Sequence, residues 1–196
     1  LNISPYFLNQ HTFFPLWEYN LINKTLTPLN IKFNTIYPLT LAYNIRFLDV
    51  DKYVIYGDFL SINDIPLFRI ELYDKQQDLL IPVGSKGGKG INGRVNDIKL
   101  FVNKLYLAGD FDKVHNYSFK NLTMLDLNTF YYKGYLGYYD EGLKPIGSYL
   151  TLQQDINGKI NSLKIDSNYI YIAGEFTKIK NSNIFGLAKY NLKSCQ

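Results

Sequence analysis

The sequence predicts an all-β chain whose strands group into four-stranded antiparallel blades, a segment of a larger β-propeller. Three observations lead there. One strand-like stretch is written three times. The copies hold register with their surroundings well beyond that stretch. No window of useful length carries helical periodicity, because Gly, Asn, Asp and Pro interrupt each one while alternation and short apolar runs dominate.

The clearest copy is Leu105-Tyr106-Leu107-Ala108-Gly109-Asp110-Phe111, repeated as Ile170-Tyr171-Ile172-Ala173-Gly174-Glu175-Phe176 and, in worn form, as Tyr53-Val54-Ile55-Tyr56-Gly57-Asp58-Phe59. Apolar, aromatic and β-branched residues before each glycine are strand composition. The run is almost continuously apolar, so both faces are expected to be covered. The structural repeat residues Gly57, Gly109 and Gly174 mark a bend or a close backbone approach. The acid that follows is placed to accept hydrogen bonds from a turn. Phe59, Phe111 and Phe176 are expected to plug the space between neighbouring sheets.

The similarity extends from Val95–Val114 to Ile160–Ile179 at a constant offset of 65, with identities at Asn96, Lys99, Asn103, Tyr106, Ala108, Gly109, Phe111 and Lys113. The first copy sits 52 before the second. Fourteen residues after each Phe come Tyr73-Asp74, Leu125-Asp126 and Tyr190-Asn191. A period of this size marks a propeller, solenoid or array, and four short strands per period of about fifty residues match a propeller blade.

Taken in order, the elements are as follows. A half-blade spans 14–30, where 14–21 resembles the segment ending at Leu192 and 25–29 is its partner strand. A blade over 36–84 has strands at 39–48, 53–59, 67–73 and 79–83, punctuated by Asp51-Lys52, Asn63-Asp64 and Asp74-Lys75. A glycine-rich connector, 84–93, leads to a blade over 94–156. Its strands are 95–102, 105–111 and 122–127, with a fourth after Phe130, inside an insertion at 130–156. A partial blade over 159–192 has strands at 160–165, 169–176 and 184–192. Both terminal pieces bring a third strand, so they overlap rather than complement one another. The expectation is one propeller segment over 1–196 whose remaining blades lie elsewhere.

Composition narrows the class. An apolar share of 46% supports a full core, and aromatics reach 16%, with eighteen Tyr against one Trp. The net charge of +4 comes from scattered basic residues, which argues against a nucleic-acid partner. The single cysteine, Cys195, forms no internal disulfide and no cysteine metal site. No apolar run approaches the roughly 18 residues of a membrane span. The chain opens on Leu1 without a signal-peptide pattern and is expected to be an interior piece or a matured product.

Three segments then carry a resemblance: Gly158-Lys159-Ile160-Asn161-Ser162-Leu163-Lys164-Ile165, Ile170 through Thr177, and Gly186-Leu187-Ala188-Lys189-Tyr190-Asn191-Leu192. Together they are similar to the kelch-like propeller repeats of the fungal bud-site cortical marker and related surface proteins, over roughly 14–192. Family blades usually place a Trp in the fourth strand, where this chain offers Phe130 or Tyr131, and Leu79-Leu80 in the earlier blade. The resemblance implies an extracytoplasmic or cell-surface, non-enzymatic propeller working through its surfaces, with no catalytic residues and no cofactor.

Residue patterns that invite chemistry have plainer accounts. Gly84-Ser85-Lys86-Gly87-Gly88-Lys89-Gly90 lacks the Gly-Lys-Ser/Thr order of a phosphate loop and reads as a connector. Asp49 with Asp51, and Asp110 with Asp112, lack the further ligands of a calcium loop and read as turn residues. His11 and His115 stand apart, and Asp140-Glu141 is the one adjacent acid pair near aromatics. Catalytic and metal residues are therefore expected to be absent. The candidate partner-binding residues are Tyr131, Tyr132, Tyr135, Tyr138 and Tyr139, whose flat rings with polar tips suit protein surfaces or sugar faces. Asn23, Asn116 and Asn121 stand in glycosylation sequons. The expected function is a scaffold that presents blade loops to protein or glycan partners. The alternatives are a propeller of a carbohydrate-active enzyme or oxidase with its site outside this segment, and a structural subunit of a filament, appendage or virion.

Overall fold

The computed structural model describes residues 14–34, 43–48, 51–57, 61–62, 65–66, 69–82, 91–114, 117–127, 143–144 and 156–192. Every element among them is a β-strand, so the all-β class is as expected. The expected Phe59, Asn116, Tyr131, Tyr132, Tyr135, Tyr138, Tyr139, Asp49, Asp140, Glu141, His11, His115 and Cys195 lie outside the described residues, as do residues 84–90 of the connector expected at 84–93.

The described part begins with β1 (Phe14–Asn20) and β2 (Thr25–Asn34), an antiparallel hairpin with a bulge between Pro15 and Trp17. Asn20 shapes its turn: the side-chain oxygen accepts the N–H groups of Ile22 (2.9 Å) and Asn23 (3.2 Å). The first full unit is β3 (Tyr43–Phe47), β4 (Lys52–Gly57), a two-residue pair β5 (Ser61–Ile62) and β6 (Ile65–Pro66), then β7 (Ile70–Asp74) and β8 (Leu79–Pro82). Its sheet runs β3-β4-β7-β8 as a meander. The second unit repeats the scheme with β9 (Arg94–Phe101), β10 (Lys104–Asp110), the small pair β11 (Lys113–Val114) and β12 (Tyr117–Ser118), then β13 (Leu122–Asp126) and β14 (Leu143–Lys144). The third has β15 (Ile160–Ile165), β16 (Tyr169–Gly174), the pair β17 (Lys178–Ile179) and β18 (Ser182–Asn183), then β19 (Leu187–Asn191).

The small pairs are the element that periodicity did not announce. Each follows the second strand of its unit, and each receives the chain segment that leads into that unit. Ile91 bridges Val114 and Ile156 bridges Ile179; in the first unit the end of β2 pairs with β5 through Phe33–Ile62 and Asn34–Ser61. The pairing extends β2 beyond the expected 25–29. The fourth strand of the second unit, β14, falls inside the stretch expected to be an insertion.

Sheets pack face to face. Successive side chains on a strand point to opposite faces, and β10 shows the consequence. Leu105 and Leu107 join Val54, Tyr56, Ile70 and Leu72 of the first sheet in one core cluster. Tyr106 and Ala108 join Ile160, Leu163, Ile170 and Ile172 of the third sheet in the other. The middle sheet is thus covered on both sides, which is why its strand reads as an unbroken apolar run. Phe111 lies in the first cluster and Phe176 in the second, so both fill the space between sheets as expected. Neither is part of its strand, however. β10 ends at Asp110 and β16 at Gly174, and the N–H of Phe111 is taken by the Asn121 side chain at 3.1 Å instead of by the ladder.

Candidate interaction surface

A strand crossing inside the second and third sheets explains the repeat glycine at Gly109 and Gly174. β9 crosses the end of β10 with a bulge that skips Asn96, and β15 crosses the end of β16 with a bulge that skips Asn161. A Cβ on Gly109 would stand 2.0 Å from the Arg94 carbonyl oxygen, and one on Gly174 would stand 2.2 Å from that of Lys159. The glycine is required by backbone contact, as its place at the strand end suggests.

Twelve residues beyond each repeat glycine, a second position recurs. Arg69, Asn121 and Gly186 all take left-handed backbone, with φ of 70°, 64° and 67°. Their carbonyls accept the N–H groups of Gly57, Gly109 and Gly174, each at 3.0 Å. The side chain here ties one unit to the next. Arg69 donates to the Ile91 carbonyl (3.2 Å) in the segment that leads into the second sheet. Asn121 donates to the carbonyls of Ile156 (3.1 Å) and Gly158 (2.9 Å), which lead into the third. Gly186 has no side chain to reach onward. Asn121 is 6% exposed and its amide nitrogen is committed to both carbonyls, which corrects its reading as a glycosylation site. Asn23, by contrast, lies exposed in the first hairpin turn, its side-chain oxygen accepting from Thr25.

Further ties reinforce the second joint. Asn96 donates to the Ile160 carbonyl (2.8 Å), and the buried Asp97 accepts the Leu163 N–H (2.8 Å). Asp97 also holds Lys99 at 2.7 Å and faces Arg46 of the first sheet at 3.8 Å. The small pairs of the second and third units are each braced by an asparagine in the segment leading into the unit. Asn92 accepts from the N–H groups of Asp112 (3.1 Å) and Lys113 (2.9 Å), and Asn157 from those of Thr177 and Lys178 (both 2.9 Å). The Asn92 amide also donates to the Asp112 carboxylate, which ties the small pair to the segment leading into the unit. Asp51 likewise accepts from Gln76 at 2.6 Å. Among the described residues, no three His, Cys, Asp or Glu side chains gather where they could hold a metal ion.

What remains uncovered is the far face of the third sheet. Tyr169, Tyr171 and Ala173 alternate with the buried Ile170 and Ile172, and Leu187 sits beside them. Leu187 is 67% exposed, whereas Leu122, its counterpart on the second sheet, is 9% exposed. The expectation that the repeated strand is covered on both faces therefore fails for β16. The rings of Tyr169 and Tyr171 lie 6.2 Å apart at a 56° tilt, and the Lys189 ammonium sits 4.7 Å from the Tyr169 centroid. The Tyr171 hydroxyl donates to Asp166 at 3.0 Å, which pushes the phenol up. The backbone N–H groups of Asn168 and Tyr169, each 2.8 Å from the Asp166 carboxylate, hold that carboxyl below its ordinary range. Glu175, the repeat's acid, binds the Lys159 ammonium at 2.9 Å, so its role is an ion pair across the strand crossing.

Sequence reasoning missed Asn121 as a tie, and also the bracing pair Asn92 and Asn157. The pair was legible: Ile91-Asn92-Gly93 and Ile156-Asn157-Gly158 match at the same offset of 65, just ahead of the compared window. No protein-family model matches the chain, and no curated protein matches it.

Proposed function

We propose that the chain is a segment of a kelch-like β-propeller that serves as a rigid, non-enzymatic scaffold on the extracytoplasmic side or cell surface, presenting loops to protein or glycan partners. The observation that carries the reading is the regular joint between units. The same left-handed position recurs in all three units and its side chain hands over to the following unit in two of them, and a β-propeller stacks its sheets in such a series. Such a stack fixes loop positions without a mobile core, which suits a presenting role. An extracytoplasmic setting draws on the resemblance and on the exposed sequon at Asn23. Partner contacts are assigned to Tyr131, Tyr132, Tyr135, Tyr138 and Tyr139. The test is affinity capture with wild type and with a variant carrying serine at all five positions. Loss of a captured protein or glycan is expected; an unchanged set of partners would remove the tyrosine cluster as the presenting surface.

A further inference from the structure

We propose that the edge of the stack carrying the β1–β2 and β9–β10 turns rests on a phospholipid bilayer, with Leu21, Ile22 and Val102 entering its interface. The inference stands apart from the scaffold reading above and does not depend on it.

Tight turns favour Gly, Pro, Asn, Asp and Ser, which suit water and left-handed backbone. Two turns here break that rule. The β1–β2 turn sets Leu21-Ile22 between Asn20 and Asn23, and the two are 82% and 94% exposed. The β9–β10 turn has Val102 at a φ of 46°, followed by Asn103 at 55°. A β-branched residue at positive φ is strained. Val102 is also 73% exposed, so little packing within the chain offsets that strain. The matching position in the third sheet is Ser167. Apolar side chains displayed at a local cost point to an apolar medium outside the chain.

The two turns occupy equivalent edges. In a meander, the turn between the first two strands and the turn between the last two share one edge. Glu18, near the end of β1, meets the ammonium of Lys75 in the β7–β8 turn at 2.7 Å. The Lys75 N–H in turn donates to the Asp51 carbonyl of the β3–β4 turn at 2.7 Å. The first hairpin therefore brings its turn to the turn-bearing edge of the first sheet, and the β9–β10 turn is the same edge of the second. Stacking leaves this edge open: the second sheet has a neighbour on each face, yet Val102 stays exposed. A further sheet in series would meet the hairpin on its face, at Tyr19 and Leu26, and would not cover Leu21 and Ile22.

Three features select lipid over a protein pocket. The apolar apexes belong to different sheets, and a planar medium reaches both at once. The hairpin turn satisfies its own N–H groups: the Asn20 side-chain oxygen accepts from Ile22 (2.9 Å) and Asn23 (3.2 Å), and that of Asn23 from Thr25 (3.1 Å). Internal partners lower the cost of leaving water. The charge also suits phosphate. Lys24 stands exposed beside the apex, where its stem can follow acyl chains while the ammonium reaches the headgroups. Between Glu18 and Asp49 the chain carries Lys24, Lys32 and Arg46 and no acid. Acids in the turns of the first sheet are bound within it, Asp51 to Gln76 at 2.6 Å and Asp78 to Tyr73 at 2.8 Å. Such a surface lies in the interface without spanning it.

Co-sedimentation of the 196-residue chain with vesicles of phosphatidylcholine and about one-third phosphatidylserine tests this. Wild type is expected to pellet with the vesicles. Leu21→Asn combined with Ile22→Asn is expected to weaken partitioning about tenfold or more. Val102→Asn is expected to weaken it about threefold while leaving the urea midpoint unchanged or higher, because Asn takes positive φ more readily. Lys24→Glu is expected to weaken it further on these vesicles than on phosphatidylcholine alone. A wild type that stays in the supernatant, or hairpin and Val102→Asn variants that pellet as wild type does, would overturn the proposal. So would a captured protein lost only by the hairpin variant while wild type ignores vesicles, which would assign the turn to a protein partner. A glycan found on Asn23 by intact mass would overturn it too, and would leave the scaffold reading standing.

Discussion

Glu71 is the residue whose chemistry is least compatible with its place. It sits in β7 between Ile55 and Pro82, fully buried, and neither carboxylate oxygen has a hydrogen-bond partner among the described residues. The equivalent positions hold Thr123 and Ala188, so the repeat does not call for an acid. Burial pushes its pKa well above the ordinary carboxylate value. The fold therefore keeps Glu71 protonated over a pH range in which the unfolded chain has released that proton. The ionisation-linked cost is absent below the unfolded pKa of about 4.3 and grows as pH rises toward the folded value, then levels off, on top of the pH-independent cost of burying an unsatisfied carboxyl. Glu71→Thr is accordingly expected to stabilise the chain by about 1–3 kcal/mol or more at neutral pH and by clearly less near pH 4. Urea unfolding of both proteins at the two pH values checks it; parallel pH dependences would contradict it. Nothing in the sequence marked Glu71, because its penalty comes wholly from what packs around it.

At the scale of elements, the bulged crossing of the first and second strands is the unit's defining joint. It needs a residue without Cβ at Gly109 and again at Gly174, since each faces carbonyl oxygen at a distance no side chain tolerates. Gly109→Ala is expected to cost about 1–3 kcal/mol, read as a lower urea midpoint, because backbone must move to admit the methyl group. An unshifted midpoint would mean that the strands do not cross there. Most strands were legible: β15 occupies the expected 160–165, and β9, β10 and β13 lie within a residue of their expected bounds. Seven-residue runs of apolar and β-branched residues announce themselves. The small pairs did not, because two residues carry no period. Their stability comes from the braces at Asn92 and Asn157 and from the segment leading into the unit.

Across the whole molecule, the units are held in series by side chains at one recurrent position. Asn121 satisfies the Phe111 N–H behind it and two carbonyls ahead of it. Asn121→Gly keeps the left-handed backbone and removes the side chain with its bond to Phe111 and its two ties, so the loss is separated from conformational strain. It is expected to cost about 1–3 kcal/mol and to speed hydrogen exchange in β15 and β16 more than in β3 and β4. Equal acceleration in all four strands would mean that Asn121 stabilises its own sheet and does not couple two. The two described joints also differ: the second holds Asn96, Asp97 and Asn121, while the first relies on Arg69 and the longer Arg46–Asp97 contact.

The sequence by itself determined the strand composition, the repeat and its register, and the need for glycine at the strand ends. All of these follow from local sterics and from periodicity along the chain. Only the tertiary structure decided which face of each strand meets which sheet, that the Asn121 side chain is buried as a tie, that Glu71 is stranded without a partner among the described residues, and that the third sheet leaves one face open. Those outcomes depend on groups about fifty or more residues away being brought within hydrogen-bonding or van der Waals distance, and no local pattern encodes such distances.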